Sequence, residues 1–281
     1  MDRADSFPMK PTAARDRFCE LIGKPDAEIP LAEACLVIAA EGRPQVDPER
    51  SLEELDRLAQ TVERRSGRSD QIQQLNQLLF EQERFTGNRQ DYDDPRNSFL
   101  DSVLERRTGL PITLAIVFID VGRRLSLETA GIGFPGHFLA KAMGDREEVI
   151  VDAFNGCVMN EAACRTRLRE VAGGRIEFDA SLLRSTSHTA ILTRVLSNLK
   201  RVQINASEFS EALACCERLL LLAPNDPLER RDRGLIYRQL ECFGPALEDI
   251  DFFLAHAPNH PSSNALRAVR TDLARRNRQI H

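Results

Sequence analysis

Three side chains in this 281-residue chain could act together on an acyl or amide group: Thr113, His137 and Asp152. Thr113 falls on the first turn of a helix opened by Gly109-Leu110-Pro111-Ile112-Thr113. His137 starts a strand in Gly136-His137-Phe138, and Asp152 ends the next strand in Val151-Asp152. A nucleophile at a helix N-terminus sits where the dipole favours an anion. A histidine can take its proton, and an aspartate can orient the imidazole. The thiol that would suit this place is missing, because residues 107–118 contain no cysteine. Neutral threonine is a poor nucleophile without strong activation, and its branched side chain is stiff. Thr113 is therefore read either as a weak nucleophile or as a helix-start residue bonding local backbone. His137 is either a base or a buried histidine tied to a carboxylate. Asp152 is either its partner or a strand-end turn residue.

A second polar group, Asp91, Tyr92, Arg96 and Asn97, precedes the same helix and reads as a wall of the cleft or as a hydrogen-bonded loop. Cys157 and Cys164 follow Asp152, on the wrong side of the chain order for a nucleophile, and are expected to be core thiols. The seven cysteines form an odd set without a Cys-x-x-Cys pair. They read as reduced thiols and not as a disulfide framework or a zinc site. No metal site and no cofactor are expected.

These residues need a frame. From Pro30 to about Phe85, apolar residues recur at helical spacing in three segments: Leu31/Ala34/Cys35/Ile38, Leu52/Leu55/Leu58/Val62 and Ile72/Leu75/Leu79. Pro111 suits the first turn of a helix running from Ile112 to about Leu125. That helix is apolar on most faces and should be buried. Strand-like pieces follow at 128–133, 137–142 and 148–152, with turns at Pro135-Gly136 and Gly144-Asp145. A buried helix followed by a small antiparallel sheet is an α+β arrangement. Its nucleophile–His–Asp order is that of papain-like and transglutaminase-like folds.

The C-terminal third carries a repeat. Ala212 and Ala246 stand 34 residues apart, as do Pro224 and Pro258. That is the tetratricopeptide period. Gly234, Tyr237, Ala246 and Pro258 fill the small, aromatic, small and proline positions of the second copy. The first copy has Lys200 and Gln203 in place of Gly234 and Tyr237. Residues 262–277 should form a capping helix. The expected division is a partly disordered leader over 1–29, a transglutaminase-like domain with a helical N-terminal part over 30–185, and all-α repeats over 186–281.

Longer motifs point the same way. Phe85-Thr86-Gly87-Asn88, the run Asp91 to Leu100, the run Val103 to Leu114, Phe134-Pro135-Gly136-His137-Phe138-Leu139 and Asp152-Ala153-Phe154-Asn155-Gly156 together resemble the SirB-type family. The resemblance spans about residues 30–275. It implies a transglutaminase-like core, in which the cysteine position is commonly lost, followed by tetratricopeptide repeats, in a bacterial protein. It implies architecture and no settled activity. One departure is Ala153, where the family more often has proline, which should loosen the turn after Asp152.

Composition narrows the rest. A net charge of −5 and a pI near 5.7 give no electrostatic footprint for nucleic acid. The arginines at 267, 270, 275, 276 and 278 read as the solvated face of a last helix. No apolar run reaches the roughly 20 residues that cross a bilayer, so no membrane partner is expected. The N-terminal sequence lacks an apolar h-region, so a cytoplasmic location is expected. The missing thiol favours a non-enzymatic binding or regulatory protein, a pseudoenzyme cleft whose repeats take a protein or peptide partner. The alternative is a hydrolase or acyltransferase using His137–Asp152 with Thr113 or water as nucleophile.

Overall fold

The computed structural model describes residues 13–43, 45–63 and 67–280. The chain divides into two compact units on either side of the Val195–Leu196 bond.

In the first unit α1 (Ala13–Ile22) buries Phe18 and Leu21 against α2 (Leu31–Glu41). Residues 13–22, expected within a leader, are thus an integral helix held by apolar burial; residues 1–12 lie outside the described residues. The three helical periodicities become α2, α3 (Pro48–Thr61) and α4 (Arg68–Asn76). Asp47 caps α3 by accepting from Arg50 N, and Pro48 takes the first turn, where no N–H is needed. Helix α4 runs on as a π-helical turn over Gln77–Gln82.

After the short strand β1 (Thr86–Gly87) come α5 (Leu100–Arg106) and β2 (Thr108–Gly109), which pairs in parallel with β1. Helix α6 (Pro111–Arg124) buries eleven residues, from Pro111 to Gly122. It packs on α2, α3 and α4 on one side and on the sheet on the other, which explains its nearly all-apolar sequence.

That sheet is antiparallel, in the order β6 (Cys157–Met159), β5 (Glu148–Asp152), β4 (Leu139–Met143), β3 (Thr129–Ile132), β7 (Ser185–Thr186). The register Ala140↔Val151 and Asp152↔Cys157 fixes which residues meet across it. Helix α7 (Glu161–Ala172) is capped by the Asn160 side chain and seats Cys164 and Leu168 in a cluster with Ile132, Phe134 and Leu139.

Helix α8 (His188–Asn205) contains the boundary between units. The division was expected at 185/186. It falls later because the first turns of α8 are bound into the first unit: Asp26 accepts from the backbone N–H groups of His188 and Thr189, and the His188 ring bonds the Ile29 carbonyl.

The second unit holds the rest of α8 with α9 (Phe209–Leu222), α10 (Pro227–Gln239), α11 (Phe243–His256) and α12 (Ser263–Ile280). Ala212, Cys216, Ile236, Tyr237, Ala246, Ile250, Phe253 and Leu273 share one apolar core. Gly234 is small for a reason: a Cβ there would come within 3.1 Å of the Ala246 carbonyl and 3.2 Å of Ile250 Cδ1. At the equivalent place in the first copy, Lys200 reaches out of α8 to Glu229 (2.7 Å) and Asp232 (2.8 Å) on α10. The C-terminal arginines are not a bare stripe, since Arg270 pairs with Asp251 and both Arg275 and Arg276 pair with Asp272.

Candidate functional site

The Pro135-Gly136 turn delivers His137. Gly136 takes φ +66°, and His137 N donates to the Phe134 carbonyl at 3.0 Å. Proline at the second position and a positive-φ glycine at the third are the chemistry of a type II turn. Only glycine holds that backbone without strain. The ring of His137 then lies beside β5, with Nε2 3.0 Å from Asp152 Oδ1.

Asp152 is fully buried, yet its carboxylate is crowded with donors. Oδ1 also accepts from the backbone N–H groups of Phe154 and Asn155, each at 3.1 Å. Oδ2 accepts from Asn155 Nδ2 at 2.6 Å, and the Arg167 guanidinium stands 3.6 Å away. Burial opposes ionisation of Asp152, but the hydrogen bonds from His137 and Asn155 outweigh it and hold the carboxyl below its ordinary value. The turn after Asp152 is therefore tied by the carboxylate itself, and Ala153 does not loosen it as expected from the missing proline.

A negative Asp152 accepts the Nε2 proton, so the ring's Nδ1 is its basic atom. Nδ1 has no hydrogen-bond partner among the described residues. Phe154 meets the same ring edge-on, centroids 6.0 Å apart, and packs 6.3 Å from the ring of Tyr92. Gly87 makes room for it, since a Cβ at 87 would lie 2.3 Å from the Phe154 ring.

Thr113 is placed differently. It is 1% exposed, and its hydroxyl donates to the Asn97 carbonyl at 2.8 Å while accepting from Leu110 N at 3.0 Å. A hydroxyl has one proton, and here it is committed to backbone. Gly109 is small because a Cβ there would touch Thr113 Oγ1 at 2.7 Å. No hydrogen bond joins Thr113 to His137 among the described residues. The structure thus unites His137 with Asp152 and leaves Thr113 as a helix-start residue.

The four expected cleft-wall residues separate. Asn97 is fully buried, donating to the Asp91 carbonyl (2.7 Å) and accepting from Asn88 Nδ2 (3.1 Å). It stands behind the wall, knotting the 88–97 loop to α6. Arg96 is paired with Asp94, Asp91 is exposed, and Tyr92, 46% exposed, is the one that meets Phe154. Cys164 is a core thiol as expected, but Cys157, at the first position of the edge strand β6, is exposed. Its register partner is Asp152, yet partial shielding and the Asp152 charge push the thiol up, the reverse of what a reactive thiolate needs.

Sequence reasoning missed Asn155, Phe154, Gly87 and Arg167. The Asp-x-x-Asn spacing at 152 and 155 was the available signal for the first, because a short polar side chain three residues on can close an Asx-type turn. Among the described residues no three His, Cys, Asp or Glu side chains gather to hold a metal ion, and no helix is long and apolar enough to cross a membrane.

Comparison with known proteins gives this geometry a context. The transglutaminase-like superfamily matches residues 49–197, and the tetratricopeptide repeat matches residues 199–271. A UPF0162 protein of Xylella fastidiosa (strain 9a5c) is 35% identical over 268 residues, covering 91% of this chain and 94% of that protein. Protein SirB1 of Salmonella typhimurium is 29% identical over 232 residues, 82% of this chain and 86% of its own. UPF0162 protein YchA of Escherichia coli is 27% identical over 257 residues, 90% and 96% of the two chains. No solved structure matches.

Proposed function

The chain belongs to the transglutaminase-like superfamily, among the UPF0162 and SirB1 proteins, and from that premise we propose that it is a binding or regulatory protein and not an acyl-transfer enzyme. The observation that carries this reading is the Thr113 hydroxyl, whose proton is spent on the Asn97 carbonyl at the place a transglutaminase-like fold would present a nucleophile. The cleft beside His137, Tyr92 and Phe154 binds a peptide or small ligand non-covalently. The tetratricopeptide repeats, an architecture generally used for protein–protein contacts, engage a protein partner. The protein works in the cytoplasm.

The test is a broad panel of amide, ester and thioester substrates offered to the wild type and to His137→Ala. No turnover is expected from either, and a wild-type ligand should lose affinity for His137→Ala while the thermal midpoint holds. Turnover that His137→Ala abolishes would overturn the reading.

One observation favours a second reading. Because Asp152 takes Nε2, the open Nδ1 of His137 is oriented to act as general base on water. A hydrolase of this kind needs no Thr113, so turnover that survives Thr113→Val would identify it.

A further inference from the structure

A guanidinium without an anion stands next to this site. Arg194, on α8 and within the first unit, is half-buried, with its Cζ 5.4 Å over the ring of Phe138, the residue after His137. It makes no hydrogen bond and no ion pair among the described residues. Burial pushes it below the ordinary arginine value, and the only group pulling the other way is the phenol of Tyr92. No carboxylate contributes.

Most other sheltered arginines of the same unit are paired with a carboxylate, and Arg123, which is not, meets the His188 ring instead. Arg15 is bound to Glu41, Arg43 to Asp101, Arg107 to Glu54 and Glu83, and Arg124 to Asp56 and Asp120. Withdrawing a guanidinium from water without a counter-charge is unfavourable. In a protein of net charge −5, a counter-charge would not be hard to find.

Arg89 repeats the pattern at the outer edge. Its Cζ lies 5.2 Å over the Phe154 ring, and its hydrogen bond goes to the neutral Asn155 Oδ1. The nearby carboxylates are engaged elsewhere: Asp94 holds Arg96 and Arg106, and Asp152 holds His137 and Asn155. Asp91 lies toward Arg96.

We propose that the ligand of the His137 cleft is a peptide bearing a carboxylate, held by Arg194 with Arg89 as the outer contact. This rests on the binding reading given above and names its ligand class. An arginine fork matches a carboxylate with two parallel hydrogen bonds, and the Phe138 ring under the Arg194 guanidinium helps to hold it in place. Tyr92, 46% exposed and packed against Phe154, offers the peptide an aromatic contact.

The probe is an array of random heptapeptides, made once with free C-terminal carboxylates and once as amides, exposed to the full chain at low ionic strength. Hits confined to the free-carboxylate set identify a chain terminus as the anion, and hits rich in Asp or Glu in both sets identify an acidic side chain. Either result supports the proposal if amidating that terminus, or changing that Glu to Gln, weakens the best hit about tenfold or more. Arg194→Gln should weaken the acidic peptide equally and leave the neutralised peptide unchanged, while Arg194→Lys recovers part of the loss. Hits that require His137 yet ignore their own carboxylate, or ignore Arg194→Gln, overturn the proposal and leave the cleft reading standing. Hits indifferent to both His137→Ala and Arg194→Gln, or no hits from either array, overturn both.

Discussion

Among the described residues, the most deeply buried aspartates of the two units are treated oppositely. Asp249, 1% exposed in the repeats, is clamped by Arg230 at 3.0 Å and by both ends of the Arg233 fork at 2.7 and 2.9 Å. Its partners carry permanent charge, so the cluster is electrically closed and can only hold helices α10 and α11 together. Asp152, fully buried in the first unit, is held by an imidazole, an amide and two backbone N–H groups, with Arg167 beyond hydrogen-bond distance. One of those donors is the His137 ring, 3.0 Å away. A carboxylate secured mainly by neutral donors keeps its field directed along the histidine. The difference separates an anion used as a rivet from an anion used to orient another group.

The largest effect should come from breaking the rivet. Asp249→Ala strands two part-buried guanidinium groups and should cost about 3–5 kcal/mol, the usual result of removing one partner of a buried pair, read as a fall in the repeats' unfolding transition. Asp152→Asn keeps the shape and part of the hydrogen bonding, so about 1–2 kcal/mol is expected, with ligand affinity falling far more than stability. Equal losses from the two changes would make Asp152 another rivet.

Next in size is Thr113→Val. It leaves the Leu110 N–H and the Asn97 carbonyl without their hydroxyl and should cost about 1–3 kcal/mol, whereas Thr113→Ser should stay within about 1 kcal/mol. A Val variant of undiminished stability would contradict the structural role given to this hydroxyl.

Gly87→Ala sharpens the contrast at the cleft itself. The new methyl collides with Phe154, so the ring must swing away from His137. Calorimetric titration should show ligand affinity falling about tenfold while the repeats' transition, which contains Asp249, does not move.

The smallest effects are in pH. The Asp152 carboxyl lies below its ordinary 3.8 in the fold, so its contribution is complete above that value and disappears as pH falls through the lower native one. His188, whose ring sits between the Ile29 carbonyl and Arg123, is pushed below its ordinary 6.5 by burial and by the Arg123 charge. The unfolded chain then binds the proton first, so stability is full above pH 6.5 and declines as pH falls below it. In denaturation midpoints measured from about pH 7 down to about pH 2, His188→Asn should flatten the decline below pH 6.5, and Asp152→Asn should flatten only the limb below pH 3.8.

Much of this contrast was visible in the sequence. The unbroken apolar character of α6, the Pro135-Gly136 turn before His137, Asp152 at a strand end and the 34-residue spacing of Ala212 and Ala246 each have a local physical cause. What was hidden depends on partners far along the chain. The Thr113 hydroxyl is satisfied by the carbonyl of Asn97, sixteen residues earlier, and no periodicity announces that bond. Gly87 is explained only by Phe154, which lies far along the chain in the turn after β5. Arg194 looked like part of the repeats until the start of α8 was seen bound to the first unit. The period marked the second copy by its small residues, but it could not foretell that Lys200 replaces close packing with an ion pair to α10.

The exposure of Cys157 has a practical sequel. Cys157 is across the register from Asp152 and open to reagents, so a fluorophore attached there sits one strand from the His137–Asp152 pair. Its raised thiol reacts as the thiolate, so labelling belongs at mildly alkaline pH, after the other exposed cysteine, Cys19, has been replaced by serine. Such a dye would register the arrival of a ligand by its change in emission, giving this protein an optical assay that needs neither a known substrate nor a product.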